Sequence, residues 1–138
     1  MEVLVNDMHK NGAIFFVEIT FEMKVAKGFL KIGQKPPFVR TKAIIDTGAE
    51  RSCIDSSISE KLALQIYDTA RIATLSGIAE VNMVDVLIHI PELNRCFPVC
   101  VPSVDFGGKS YQVVIGRDIL RKCKFEYDGV NNLFKLSL

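Results

Sequence analysis

From Val17 to Val25 apolar residues recur at every second position, with Glu18, Thr20, Glu22 and Lys24 between them. Alternation of this kind predicts a half-buried strand, and Ile14-Phe15-Phe16 carries it back towards Gly12. Gly28, Gly33 and Pro36-Pro37 interrupt the next segment, so Phe29 to Ile32 is expected as a short return strand. Phe38 to Ile45 is a further strand, apolar at its end and running directly into Asp46. Ser52 to Ile54 predicts a short strand, followed by a helix through Ser57 to Leu64. Asp55 or Ser56 is the expected cap, Ile58 and Leu62 share one face, and Glu60 is placed in the first turn.

The second half is richer in strands. Ala70 to Leu75 and Glu80 to Ile90 flank Ser76-Gly77, and Val84, Val86, Ile88 and Ile90 keep a period of two. This predicts a hairpin turning at Ser76-Gly77. Cys96 to Val101 is apolar, and Pro98 and Pro102 suit an edge or irregular strand. Gln112 to Ile115 forms another core strand, and Asp118 to Cys123 a short helix. Lys124 to Tyr127 and Asn132 to Leu138 are strands joined around Asp128-Gly129. No repeat, low-complexity tract or linker is visible.

Composition narrows the classes. A chain of 138 residues with 49% hydrophobic content fits one globular domain, residues 1 to 138. The 17 basic and 16 acidic residues leave a net charge of +1, which gives no electrostatic reason to expect nucleic acid or an anionic membrane as partner. No apolar run reaches the ~20 residues of a membrane helix, and Met1 to Asp7 has no signal-peptide pattern, so a cytoplasmic location is expected. Cys53, Cys96, Cys100 and Cys123 lack CxxC pairing, and His9 and His89 lie elsewhere. No metal site is expected, and the cysteines read as small buried hydrophobes. Gly108-Lys109-Ser110 lacks the earlier glycine of a phosphate loop, since position 103 is Ser103.

Two stretches carry candidate chemistry. In Ala43-Ile44-Ile45-Asp46-Thr47-Gly48-Ala49 an apolar strand delivers a carboxylate at a glycine turn. In Val113-Val114-Ile115-Gly116-Arg117-Asp118-Ile119-Leu120 a second apolar run meets a glycine. Asp46 alone reads more readily as a turn aspartate bonding its own backbone. Together, in this order and about 70 residues apart, the two stretches resemble the retropepsin family of single-domain, retroviral-type aspartic peptidases. The resemblance covers about residues 10 to 138.

That resemblance implies an all-β fold with one or two short helices, a closed β-barrel or sandwich acting as a homodimer. It implies peptide-bond hydrolysis by a water held between two aspartates, with peptide or protein substrates and no cofactor. Asp46 is then the catalytic group. Thr47, Gly48 and Ala49 support its loop, Thr47 tying the two active-site loops together across the interface. Ser76 and Gly77 belong to a substrate flap, and Ile115, Gly116, Arg117 and Asp118 form the structural second motif. Arg117 is expected to do structural work comparable to the dimer-organising arginine of retroviral members.

The dimer also follows from a count. Asp55, Asp68, Asp85, Asp105, Asp118 and Asp128 all lack a following Thr-Gly or Ser-Gly. A dyad therefore needs a second chain, arranged about a twofold axis. Glu50 and Arg51 read as an exposed charged pair, and His89 as a solvated or satisfied strand histidine. The C-terminal Phe134 to Leu138 alternates and suits pairing; in viral members the chain ends form an intersubunit sheet. The alternative is a non-catalytic dimerisation or peptide-binding module on the same fold, because a fold does not fix a function.

Overall fold

The computed structural model describes residues 1–6 and 8–138. Ten strands alternate with short helices: β1 (Glu2–Asn6), α1 (Met8–Asn11), β2 (Ile14–Phe21), α2 (Met23–Lys31), β3 (Phe38–Ile45), β4 (Cys53–Asp55), α3 (Ser56–Leu62), β5 (Asp68–Thr74), β6 (Gly77–Ile90), a 3-10 turn (Pro91–Leu93), β7 (Arg95–Val104), β8 (Val113–Ile115), α4 (Arg117–Leu120), β9 (Lys124–Asp128) and β10 (Leu133–Ser137). The fold is mainly β, as expected.

The larger sheet runs β2-β3-β8-β4-β7-β6-β5 and is closed by an additional β2–β6 pairing. Closure makes a barrel of β2, β3, β8, β4, β7 and β6. Strand β6 makes this possible by its length. Its first half, Gly77 to Met83, pairs with β5 as a projecting hairpin. Its second half pairs with β7 from Asn82 to Ile90 and with β2 from Val86 to His89. The burial of β6 changes accordingly, exposed along the hairpin and mostly buried along the barrel. His89 Nδ1 meets Glu18 Oε1 at 2.8 Å across the β2–β6 seam, so this histidine is satisfied.

The barrel core contains Val17, Ile19, Ala43, Ile54, Ile88, Phe97, Val101, Val113 and Ile115, all 1% exposed or less. Strand β7 registers with β4 only at Ser103 and Val104. Pro98 and Pro102 therefore lie where β7 has no strand on its second side.

The second sheet has the order β1-β10-β9. It packs on the barrel through Phe134, whose ring meets Phe15 edge-on at 6.2 Å and Phe125 at 5.9 Å. The chain ends are thus paired with each other, Glu2 opposite Ser137 through Asn6 opposite Leu133.

Some local expectations are corrected. Residues 23 to 31 form helix α2, so β2 ends at Phe21 and Phe29 to Ile32 is not a strand. The period-two signal continued by chance through Met23 and Val25, both exposed. Ala26 is buried and Phe29 stacks on Phe21 at 5.7 Å, and these contacts override the helix-weakening Gly28. Glu60 lies beyond the first turn of α3, which contains no acid. Asp55 occupies the N-cap position, but its carboxylate turns to the Ser57 hydroxyl and the Phe106 amide. The cysteines are not fully buried. Cys96 and Cys100 are exposed because they share the outer face of β7, opposite Phe97 and Val101, and Cys53 and Cys123 are half-buried.

Candidate active site

The site is built where β3 and β8 run parallel, Ala43 to Ile45 beside Val113 to Ile115. The ladder continues one residue further, as Asp46 N–H donates to the Ile115 carbonyl at 3.0 Å. The chain then turns. Ala49 N–H donates to the Asp46 carbonyl at 3.2 Å, and Gly48 N–H donates to Asp46 Oδ1 at 2.9 Å. The self-bonded turn aspartate is therefore part of what Asp46 does. Its Oδ2 has no hydrogen-bond partner among the described residues. Asp46, Thr47 and Gly48 are all exposed, while Ile45 below them is buried.

The second motif locks this loop from beneath. Arg117 N–H donates to the Ala49 carbonyl at 2.9 Å, and Asp118 N–H to the Glu50 carbonyl at 3.2 Å. The Arg117 guanidinium donates to the Thr47 carbonyl at 3.0 Å. A Cβ on Gly116 would lie 2.6 Å from the Arg51 carbonyl carbon and 2.9 Å from the Ala49 oxygen. Only glycine lets the two loops cross at this separation.

Ser52 was missed by sequence reasoning. It is wholly buried, its hydroxyl donates to Asp118 Oδ1 at 2.7 Å, and it accepts from Gly116 N–H at 3.0 Å. A serine in an apolar strand was the available signal, but its partner lies far along the chain.

Two grooves flank the loop. One, about 620 Å³, lies between the loop and the β5–β6 hairpin and is lined by Ala49, Arg51 and Cys53 with Ala70, Ile72 and Met83. Burial, and then the charges of Asp46 and Asp118, push the Cys53 thiol up to about 11. The other, about 570 Å³, is lined by Asp46 and Thr47 with Met8, Ile44, Phe125 and Tyr127. In the single chain Asp46 and Thr47 line this second groove.

The hairpin turns at Leu75-Ser76, closed by the Thr74–Gly77 pair. Thr74 Oγ1 donates to the Gly77 carbonyl at 2.8 Å, and Gly77 has a φ of 126°. Leu75 and Ile78 are exposed at the tip. Glu50 and Arg51 are both exposed but form no ion pair among the described residues. No cluster of three His, Cys, Asp or Glu side chains is arranged to hold a metal among the described residues. No described helix is long and apolar enough to cross a membrane.

An exposed aspartate on a glycine loop, cross-braced by a Gly-Arg-Asp turn inside a closed barrel, defines the class of the protein. The sequence model of the retroviral aspartyl protease family matches residues 22–127, and the chain belongs to that family. The fold resembles a retropepsin-like aspartic protease from Rickettsia conorii, with a TM-score of 0.59, 16% identity, and 99% of this chain and 90% of that one covered. It also resembles EIAV protease in complex with the inhibitor HBY-793, with a TM-score of 0.53, 20% identity, and 79% and 85% covered. No curated protein matches the sequence.

Proposed function

We propose that the protein is an aspartic endopeptidase whose active site forms between two copies, each supplying Asp46. The observation that carries this reading is the position of Asp46. It is exposed at the end of a packed strand, its loop is braced on both sides, and Oδ2 is without a partner among the described residues.

In the dimer the two carboxyl groups hold one water. Like charges at close range resist double ionisation, so one group is ionised and the other protonated, a split that aspartic proteases show as a class. The ionised Asp46 takes a proton from the water as its oxygen attacks the peptide carbonyl carbon. The protonated Asp46 donates to the carbonyl oxygen. Collapse of the tetrahedral intermediate breaks the C–N bond while a proton passes to the departing amine. Neither a metal nor an organic cofactor takes part.

The remaining residues position this chemistry. Thr47, Gly48 and Ala49 hold the loop, and Ile115, Gly116, Arg117 and Asp118 brace it. Ser76 and Gly77 lie in the hairpin that closes over a peptide in the adjoining cleft. The four cysteines are free, which favours a reducing, cytoplasmic setting.

The test is cleavage of a mixed peptide library at about pH 5 by wild type and Asp46→Asn, with sedimentation in parallel. Wild type cuts and Asp46→Asn loses roughly 10²–10⁴-fold or more while remaining dimeric. Specific activity falls on dilution as dimers separate. Cleavage retained by Asp46→Asn rules out this mechanism, and peptide binding without cleavage by a folded wild-type dimer favours a binding module.

A further inference from the structure

We propose that helix α2 and the turn after it seat this protein on an anionic membrane surface. Leu30 and Ile32 enter the lipid, and Lys24, Lys27, Lys31 and Lys35 lie among the headgroup phosphates. The proposal stands apart from the peptidase reading and does not depend on it.

The net charge of +1 conceals a local imbalance. From Met23 to Ile45 the chain carries Lys24, Lys27, Lys31, Lys35, Arg40 and Lys42 and no acid. The two acids just before this segment already have partners. Glu18 Oε1 meets His89 Nδ1 at 2.8 Å, and Glu22 accepts the Tyr67 hydroxyl at 3.1 Å. None of the six cations is in an ion pair among the described residues. A basic cluster of this kind attracts an anionic surface whatever the charge of the whole chain.

Helix geometry puts apolar groups beside this charge. Ala26 is buried and Phe29 stacks on Phe21, so that face of α2 lies on the barrel. Lys24, Lys27 and Lys31, at i, i+3 and i+7, share the face turned away from it. Met23 and Leu30, seven residues apart, flank the lysine stripe and are exposed. Leu30 is 61% exposed and Ile32 68%, with nothing in the chain covering them among the described residues. The helix end that carries them is capped. Gly33 N–H donates to the Leu30 carbonyl and Gln34 N–H to the Phe29 carbonyl, both at 3.0 Å, with Gly33 left-handed at a φ of 73°. Lys35 Nζ lies 4.3 Å from the centroid of the exposed Phe38 ring, which carries the patch on to the start of β3.

The exposed aliphatic side chains decide between partners. Nucleic acid would engage the lysines and leave Leu30 and Ile32 without apolar surroundings. A lipid boundary uses both, because lysine stems lie along apolar surface while their ammonium groups reach the phosphates. At nine residues α2 is about 14 Å long, far short of a span, so it lies on the surface. Phe38 and Ile45 stand at opposite ends of β3, roughly 23 Å apart at about 3.3 Å per residue. The patch is therefore at the end of that strand remote from the Asp46 loop.

The test is flotation of the full chain with vesicles of equal parts phosphatidylglycerol and phosphatidylcholine, against vesicles of phosphatidylcholine alone. Wild type is expected to float with the anionic vesicles only, and added salt to release it. Lys27→Gln with Lys31→Gln lowers the partition about 25-fold, at about fivefold for each basic residue. Leu30→Ser with Ile32→Ser lowers it roughly tenfold or more. All four positions are exposed, so both variants fold, which circular dichroism checks. Failure of wild type to bind the anionic vesicles at low salt overturns the proposal, as does equal binding to the neutral ones. Loss of binding in the lysine variant with none in the Leu30–Ile32 variant also overturns it, because charge alone then holds the protein. Stronger binding to a mixed-sequence DNA duplex than to the anionic vesicles at the same salt assigns the patch to nucleic acid and overturns it as well.

Discussion

Ser52 and Asp118, 66 residues apart, are joined by the Ser52 hydroxyl at 2.7 Å and the Ser52 amide at 3.0 Å. The hydroxyl also accepts the Gly116 amide at 3.0 Å. One small side chain therefore fastens the strand leaving the Asp46 loop to the turn that braces it. Ser52→Ala removes the hydroxyl and leaves the buried Gly116 N–H without its acceptor. A buried polar group left unpaired costs about 1–3 kcal/mol. The expected outcome is that much loss in denaturant unfolding, with a fall in peptidase activity at temperatures where the protein stays folded.

Gly116→Ala acts on the same crossing by a different route. The φ of Gly116 is −98°, which any residue adopts, so backbone strain is not the issue. The new Cβ would meet the Arg51 carbonyl carbon at 2.6 Å and its oxygen at 2.7 Å, and backbone atoms cannot swing aside. Overpacking of this kind typically costs about 1–3 kcal/mol. Thermal unfolding measures the loss. Activity is expected to fall further than stability explains, because the displaced segment is the one that follows Asp46.

Much of this arrangement was legible in the chain. The strand Phe38–Ile45 has the bounds its apolar pattern gives, since burial, the turn and Gly48 all act locally. The β5–β6 hairpin was legible for the same reason, although it turns at Leu75-Ser76, one residue before the expected Ser76-Gly77. Helix α2 was not, because Met23 and Val25 extend the alternation of β2 while the helix is held by tertiary contacts of Ala26 and Phe29. The Ser52–Asp118 bonds and the pairing of the two chain ends were equally hidden. Each depends on residues brought together only by the closed barrel, with no local periodicity to announce them.

Helix α3 ends in a way that leaves room for stabilisation. Leu64 N–H donates to the Ser59 carbonyl at 2.9 Å and Ala63 N–H to the Glu60 carbonyl at 3.1 Å, the paired bonds of a Schellman cap. The left-handed position is taken by Ala63, with φ and ψ both 49°. A side chain there costs roughly 1–2 kcal/mol that glycine does not incur. Ala63→Gly is expected to recover about 1 kcal/mol, less the added freedom of glycine in the unfolded chain. Calorimetry should show a melting temperature higher by a few degrees, with peptidase activity unchanged.

Acid sensitivity should depend on Asp55, just before the same helix. Partial burial is the largest single influence on its carboxyl and raises the pKa. Hydrogen bonds from the Ser57 hydroxyl and the Phe106 amide, helped by the nearby Ser57 and Ser56 amides, outweigh it and hold the pKa below its ordinary 3.8. Unfolding releases Asp55 to the ordinary value, so the unfolded chain binds more protons through the interval between the two. The stabilisation is therefore fully present above the unfolded pKa and is lost as pH falls through the folded one. Asn at this position keeps the size but cannot ionise, so the gap between wild type and Asp55→Asn should be widest above the ordinary pKa of 3.8 and narrow as pH falls below it. Asp128, lowered by its bonds from Asn131, contributes its own acid slope, and Asp55→Asn leaves that part in place. Unfolding midpoints measured across this range check the expectation. A constant gap between the two proteins would show that Asp55 acts through shape and not through its charge.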